Sequence, residues 1–110
     1  MEIRTRKVNG RDVKTYVCEL LAANVLEVEV GTTGIRGGDT GHGGRTFFRL
    51  ADLGGTDMRV GANNSNNPEV IIEFGGDCEL DTFTRALEFA LFVLNDIQKY
   101  EDHTENWAEL

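Results

Sequence analysis

The chain is poor in the residues from which most active sites are built. Ser65 is its only serine and sits in an asparagine-rich stretch, which speaks against a serine–histidine nucleophile system. A zinc centre wants three or four convergent His, Cys or acidic ligands, and the chain offers only His42, His103 and two cysteines, Cys18 and Cys78, outside any C-x-x-C spacing. The cysteines are therefore expected to be reduced, partly buried small hydrophobes. No metal or cofactor is implied. Long apolar runs are missing too, and the start, Met1-Glu2-Ile3-Arg4, has no signal-like apolar segment. A single cytoplasmic domain over residues 1–110, not engaged with a membrane, is the expectation.

Positive charge is also scarce. The formal net charge is −8, which argues against duplex nucleic acid, whose binding rests on many Lys/Arg–phosphate contacts. The deficit is uneven: residues 1–68 carry nine Lys/Arg against eight Asp/Glu, whereas residues 69–110 carry two against eleven. The first part can still hold a small anion.

Glycine, by contrast, is abundant. Seven of the thirteen glycines fall in the fifteen residues from Gly31 to Arg45, GTTGIRGGDTGHGGR. Glycine loses more backbone freedom on folding than any other residue, so this concentration costs stability unless the loop needs left-handed backbone or close approach to something. An anion held by backbone N–H groups is the expectation. The run is not a Walker loop, for it has no lysine and no Gly-Lys-Ser/Thr. Nor is it a dinucleotide fingerprint, since Thr46 stands at the third glycine position and a strand follows.

Around this loop the patterning is that of an antiparallel sheet. Residues 2–8 and 11–21 flank Asn9-Gly10, the dipeptide best suited to a type I′ hairpin turn. From Val25 the sequence alternates, with Leu26, Val28 and Val30 on one face and Glu27 and Glu29 on the other; residues 45–50 alternate again. Met58-Arg59-Val60 reads as a short strand. Residues 61–68 read as an Asn-rich loop, where turn chemistry suffices, although an Asn amide such as that of Asn63 can also read a base edge. Residues 69–74 are apolar enough for a central strand. From Glu79 to Tyr100 the apolar spacing turns helical, with Asp77 or Asp81 as N-cap.

The expected fold is α+β: about five to six antiparallel strands with one long carboxy-terminal helix, with or without a short second one, packed on the sheet. Phe89, Phe92 and Val93 widen the helix stripe beyond what one core needs, which points to a homo-oligomer, a dimer or a larger assembly. The acidic tail, with Trp107, is expected to fray or form a short helix.

Two readings of the strand after the loop stand side by side. Arg45, Phe47 and Arg49 share a face, so a nucleobase can stack on Phe47 while the arginines hold phosphates; equally, the arginines can pair across the sheet with Glu27 and Glu29 while Phe47 packs under another subunit. Arg36, Gly37, Gly38, Thr40, His42 and Gly43 complete the candidate ligand-binding set, with Asn63. Asp39 with His42 serves either a metal or acid–base role or simply the loop's stability.

The block LEVEVGTTGIRGGDTGHGGRTFFRL (26–50), followed by DLGGTDM (52–58) and a carboxy-terminal helix, resembles the first family of phage-encoded Thoeris anti-defence proteins. The likeness runs from the amino-terminal hairpin to the helix. It implies a non-catalytic sponge that binds cyclic ADP-ribose isomers, and in some members cyclic trinucleotides of CBASS immunity, without destroying them. It also implies an antiparallel sheet with carboxy-terminal helices assembled into dimers and hexamers. Alternatives from other classes are an enzyme cleaving such nucleotides, with Asp39 and His42, and an oligomeric protein-interaction module.

Overall fold

The computed structural model describes residues 1–21, 24–54, 57–61 and 68–97. The turn at 21–24 and the Asn-rich loop lie largely outside these residues, and Asn63, Trp107 and the acidic tail lie wholly outside them. The chain divides into two compact units, Met1–Leu80 and Asp81–Leu110.

The first unit is an antiparallel meander of five strands, β1 (Glu2–Val8), β2 (Arg11–Leu21), β3 (Val25–Thr32), β4 (Arg45–Gly54) and β5 (Glu69–Gly75), ordered in space as in sequence. Asn9 and Gly10 both have positive φ, 49° and 80°, as the β1–β2 turn requires. The β3–β4 register places Glu29 opposite Arg49, Val30 opposite Phe48 and Gly31 opposite Phe47, with a bulge between Val25 and Leu26. Gly31 is glycine because a Cβ there would run into the Lys14 backbone of β2.

Three expectations change. Among the described residues β5 pairs only with β4 and is an edge strand, so its apolar run does not mark a central position. Met58–Val60 is not one of the sheet's strands; the segment holds only an isolated bridge at Val60. Cys18 and Cys78 are free and exposed, not partly buried.

The better-buried face of the sheet is the one that carries the glutamates. It holds Val8, Val13, Val17, Phe47 and Ala51 together with Thr15, Glu27, Glu29 and Arg45. The sheet curls enough that Arg4 and Arg6 of β1 reach past β2 to Glu27 and Glu29 of β3, and Arg6 lies over the Phe47 ring of β4, 5.2 Å from its centroid. The opposite face, with Tyr16, Leu20 and Val30, stays more exposed.

Helix α1 (Asp77–Phe92) starts two residues before the expected Glu79 and runs into a π-helical segment, Val93–Ile97. Acidic Asp77 and Glu79 occupy its first turn, where they complement the helix dipole. No residue of α1 is buried, and Phe89, Leu91, Phe92 and Leu94 are exposed. No helix among the described residues is long and apolar enough to cross a membrane.

Candidate functional site

The glycine loop joins β3 to β4, and its backbone converges on one side chain far along the chain. Gly34, Gly37, Gly41 and Gly43 all take positive φ, and so does Thr40 at 48°. These turns aim backbone N–H groups inward at Asp77. Arg36 N and Gly44 N donate to Asp77 Oδ1 at 3.0 and 2.9 Å, while Gly37 N and Gly38 N donate to Oδ2 at 2.6 and 3.1 Å. The Arg36 N–H is shared, with a second contact to Oδ2 at 3.2 Å. The backbone N–H groups expected to hold a ligand anion are taken here by the protein's own Asp77 carboxylate.

The donors hold the Asp77 carboxyl at about 2, well below its ordinary value; the Arg36 and Gly44 N–H groups contribute most, then those of Gly37 and Gly38. The spacing also accounts for two of the glycines. A Cβ on Gly43 would lie 2.8 Å from Asp77 Oδ1 and collide with the Gly38 carbonyl, and one on Gly44 would collide with the Gly34 carbonyl.

Loop and helix start are zipped together by further bonds in both directions. Gly41 N donates to Gly75 O at 2.6 Å, Gly76 N to Gly44 O at 2.8 Å and Asp77 N to Gly38 O at 2.8 Å. Asp39 Oδ1 accepts the Cys78 N–H at 2.8 Å, and Thr40 N and Oγ1 each donate to Glu79 at 3.4 Å. Asp39 thus supplies the side-chain cap expected of Asp77 or Asp81, while Asp77 faces the loop. The Asp39 carboxylate beside the Cys78 thiol pushes the thiol's pKa up.

The sequence-predicted residues separate into three groups. Arg36, Gly37, Thr40 and His42 are exposed on the loop, with Gly38 and Gly43 half-buried beneath them. Arg36 is partly tethered, its Nε donating to Thr33 O at 3.0 Å. Arg45 is buried and holds the loop's carbonyls, Nη1 to Gly43 O at 2.9 Å and Nη2 to Gly41 O at 3.1 Å, with no partner for Nε among the described residues.

Phe47 and Arg49 form the third group and are built into the buried face. Phe47 is only 3% exposed with Arg6 over its ring, so in this conformation it offers no open face to a base. Arg49 bonds Glu27 and Glu69 and stands 3.7 Å from Glu29. Of the two readings of the Arg45-Phe47-Arg49 stripe, this is the cross-sheet pairing for Arg49, whereas Arg45 serves the loop.

The buried face of the sheet also holds an ionic network that sequence reasoning did not assemble. Arg6 donates Nε to Glu29 Oε2 at 2.6 Å and Nη2 to Oε1 at 2.7 Å, Thr15 Oγ1 donates to Oε2 at 2.7 Å, and Arg4 Nη1 approaches Oε1 at 3.3 Å. Glu29 is fully buried, and the Arg6 hydrogen bonds, then that of Thr15, hold its pKa at about 2 against desolvation. The usable signal was the basic hairpin beside an acidic strand; for Asp77 and Glu79, about forty residues from the loop, no local signal existed.

Elsewhere, a depression lined by Met1, Glu2, Val17, Cys18, Glu19, Leu21 and Glu27 is acidic and unsuited to phosphate. No group of His, Cys, Asp and Glu that could hold a metal ion occurs among the described residues. In comparisons with known proteins, no family model matches the chain, and no curated protein and no solved structure matches it.

Proposed function

We propose that this protein is a non-catalytic sponge for small cyclic nucleotides, cyclic ADP-ribose isomers foremost and cyclic trinucleotides besides, that keeps them from Thoeris or CBASS effectors. It would act as a homo-oligomer in the cytoplasm of a host bacterium, as the resemblance of residues 26–58 implies. The observation that carries the reading is the loop's preorganisation: four N–H groups pinned to Asp77 fix a polar rim from which Arg36, Thr40 and His42 face solvent. A rim already ordered loses little entropy when a compact anion docks, and tight binding with slow release is what sequestration needs.

The exposed apolar residues of α1 supply the surface a second subunit would cover, and a neighbouring subunit would bring the aromatic ring for the base that Phe47 does not offer. Against a nucleotide-cleaving enzyme stands the engagement of Asp39, whose carboxylate caps Cys78 N where acid–base work would require it to address His42 or substrate.

The test is to incubate the protein with cyclic ADP-ribose isomers, denature it by heat and separate the nucleotides by chromatography. Intact nucleotide released on denaturation is the expected result; product formed at substoichiometric protein would replace the sponge by an enzyme. No thermal shift with any cyclic nucleotide would favour a protein-interaction module, since a ligand at a hundred times its Kd stabilises by roughly 2.7 kcal/mol.

A further inference from the structure

Successive backbone N–H groups converging on one point are the donor set of a phosphate-binding loop, yet here they close on a side chain. We infer that residues 36–44 form a complete oxyanion site whose resident occupant is the Asp77 carboxylate, and that this occupancy closes the site to free inorganic phosphate. This goes beyond the sponge reading and holds whatever the protein's ligand.

Both carboxylate oxygens are used. Oδ1 takes Arg36 N and Gly44 N, Oδ2 takes Arg36 N, Gly37 N and Gly38 N, and among the described residues no cationic side chain shares the work. The donors therefore grip a pair of oxygens on one central atom, the edge that carboxylate, phosphate and sulfate have in common. Asp77 is half-buried and the bonds from Arg36 and Gly37 lie in exposed surroundings, so removal of the side chain opens the donors to solvent and leaves no sealed void.

The loop also has reason to keep its shape without the carboxylate. The bonds Gly41 N to Gly75 O, Gly76 N to Gly44 O and Asp77 N to Gly38 O are all main-chain, and Cys78 N to Asp39 does not involve the Asp77 side chain. An external oxyanion can therefore enter a ready-made nest once Asp77 is shortened. In the native protein any ligand phosphate has to meet the outer side chains Arg36 and His42, since the N–H groups are taken and the Thr40 hydroxyl donates to Glu79.

The experiment compares the unmodified protein, Asp77→Ala and Asp77→Asn, each titrated with sodium phosphate against sodium chloride at equal ionic strength, by thermal melting and by amide chemical shifts. Asp77→Ala should gain saturable phosphate stabilisation, with an affinity at least about tenfold above that of the native protein, as charge-assisted bonds to a vacant nest require. The amides of residues 36, 37, 38 and 44 should move together. Asp77→Asn, whose amide group still fills the space, should respond to phosphate no more than the native protein does, from a lower starting melting temperature. Should Asp77→Ala fold only with help, recovery on refolding in phosphate but not in chloride supports the site, and recovery in neither overturns it. Phosphate binding to these amides in the native protein, or an Asp77→Ala response no larger than the native one, also overturns it.

Discussion

Arg6 grips Glu29 with two hydrogen bonds, Nε to Oε2 at 2.6 Å and Nη2 to Oε1 at 2.7 Å, across the strand that lies between them. Glu29 is completely buried, so its charge is tolerable only because Arg6, Arg4, Arg49 and Thr15 compensate it. The pair ties the amino-terminal hairpin to the middle of the sheet.

Glu29→Gln keeps the shape and removes the charge. Breaking a buried pair costs about 3–5 kcal/mol, and because Arg6 keeps access to water the loss should fall at or below the lower end of that range. Urea unfolding should show a loss of about 2–3 kcal/mol, whereas Thr15→Val, which removes one hydrogen bond, should cost about 1 kcal/mol. Equal stability of Glu29→Gln and the native protein would mean the pair is not compensating a buried charge.

Acid should attack the same place and the loop together. Glu29 and Asp77 each have a folded pKa of about 2, below the ordinary carboxylate range. A depressed folded pKa contributes stability that is fully present above the unfolded value and lost as pH falls through the folded one. Melting temperature should therefore decline from about pH 5 to about pH 2. Asp77→Asn and Glu29→Gln should each flatten that decline while lowering the plateau at neutral pH; an unchanged slope in both would show that other carboxylates set the acid limb.

Two glycines of the loop should differ sharply when replaced by alanine. At Gly37, φ is +85° and a Cβ meets nothing within 4 Å, so only the left-handed backbone is penalised, by about 1–2 kcal/mol. At Gly43, φ is +75° and the Cβ also strikes the Gly38 carbonyl and Asp77 Oδ1, so the nest itself has to open. Gly43→Ala should be the more destabilised in denaturant and should lose amide protection at residues 36–44. Equal midpoints would mean the loop relaxes around the added methyl.

Local signals account for what was legible beforehand. Asn9-Gly10 specifies its turn by its own backbone, and the alternation of β3 and β4 marks strands whatever they face. Which face is better buried was not legible, because hydropathy places Glu27 and Glu29 in water and only the curl of the sheet brings Arg4 and Arg6 to neutralise them. The excess of glycine announced a nest of backbone donors, but that Asp77 occupies it was not legible, because tertiary structure alone brings Asp77 to the loop. The apolar run of β5 suggested a central strand, whereas Ile71 is exposed at the sheet's edge.

Phe47 and Arg36 separate stability from binding. Phe47 is buried beside Val8 and Val13, and truncating such a ring to alanine costs about 3–5 kcal/mol, a large part of a small domain's stability. Phe47→Leu is the milder probe, expected to cost about 1 kcal/mol and to leave cyclic nucleotide affinity unchanged. Arg36 lies on the exposed rim with one bond to Thr33 O, so Arg36→Ala should shift stability by less than about 0.5 kcal/mol. Its removal takes away an exposed guanidinium on the loop's rim and should weaken cyclic nucleotide binding by about tenfold, the worth of one charge-assisted contact. Calorimetric titration of both variants decides the matter. The reverse pattern, with Phe47→Leu weakening binding and Arg36→Ala silent, would put the base on Phe47 and require Arg6 to leave the ring when ligand arrives.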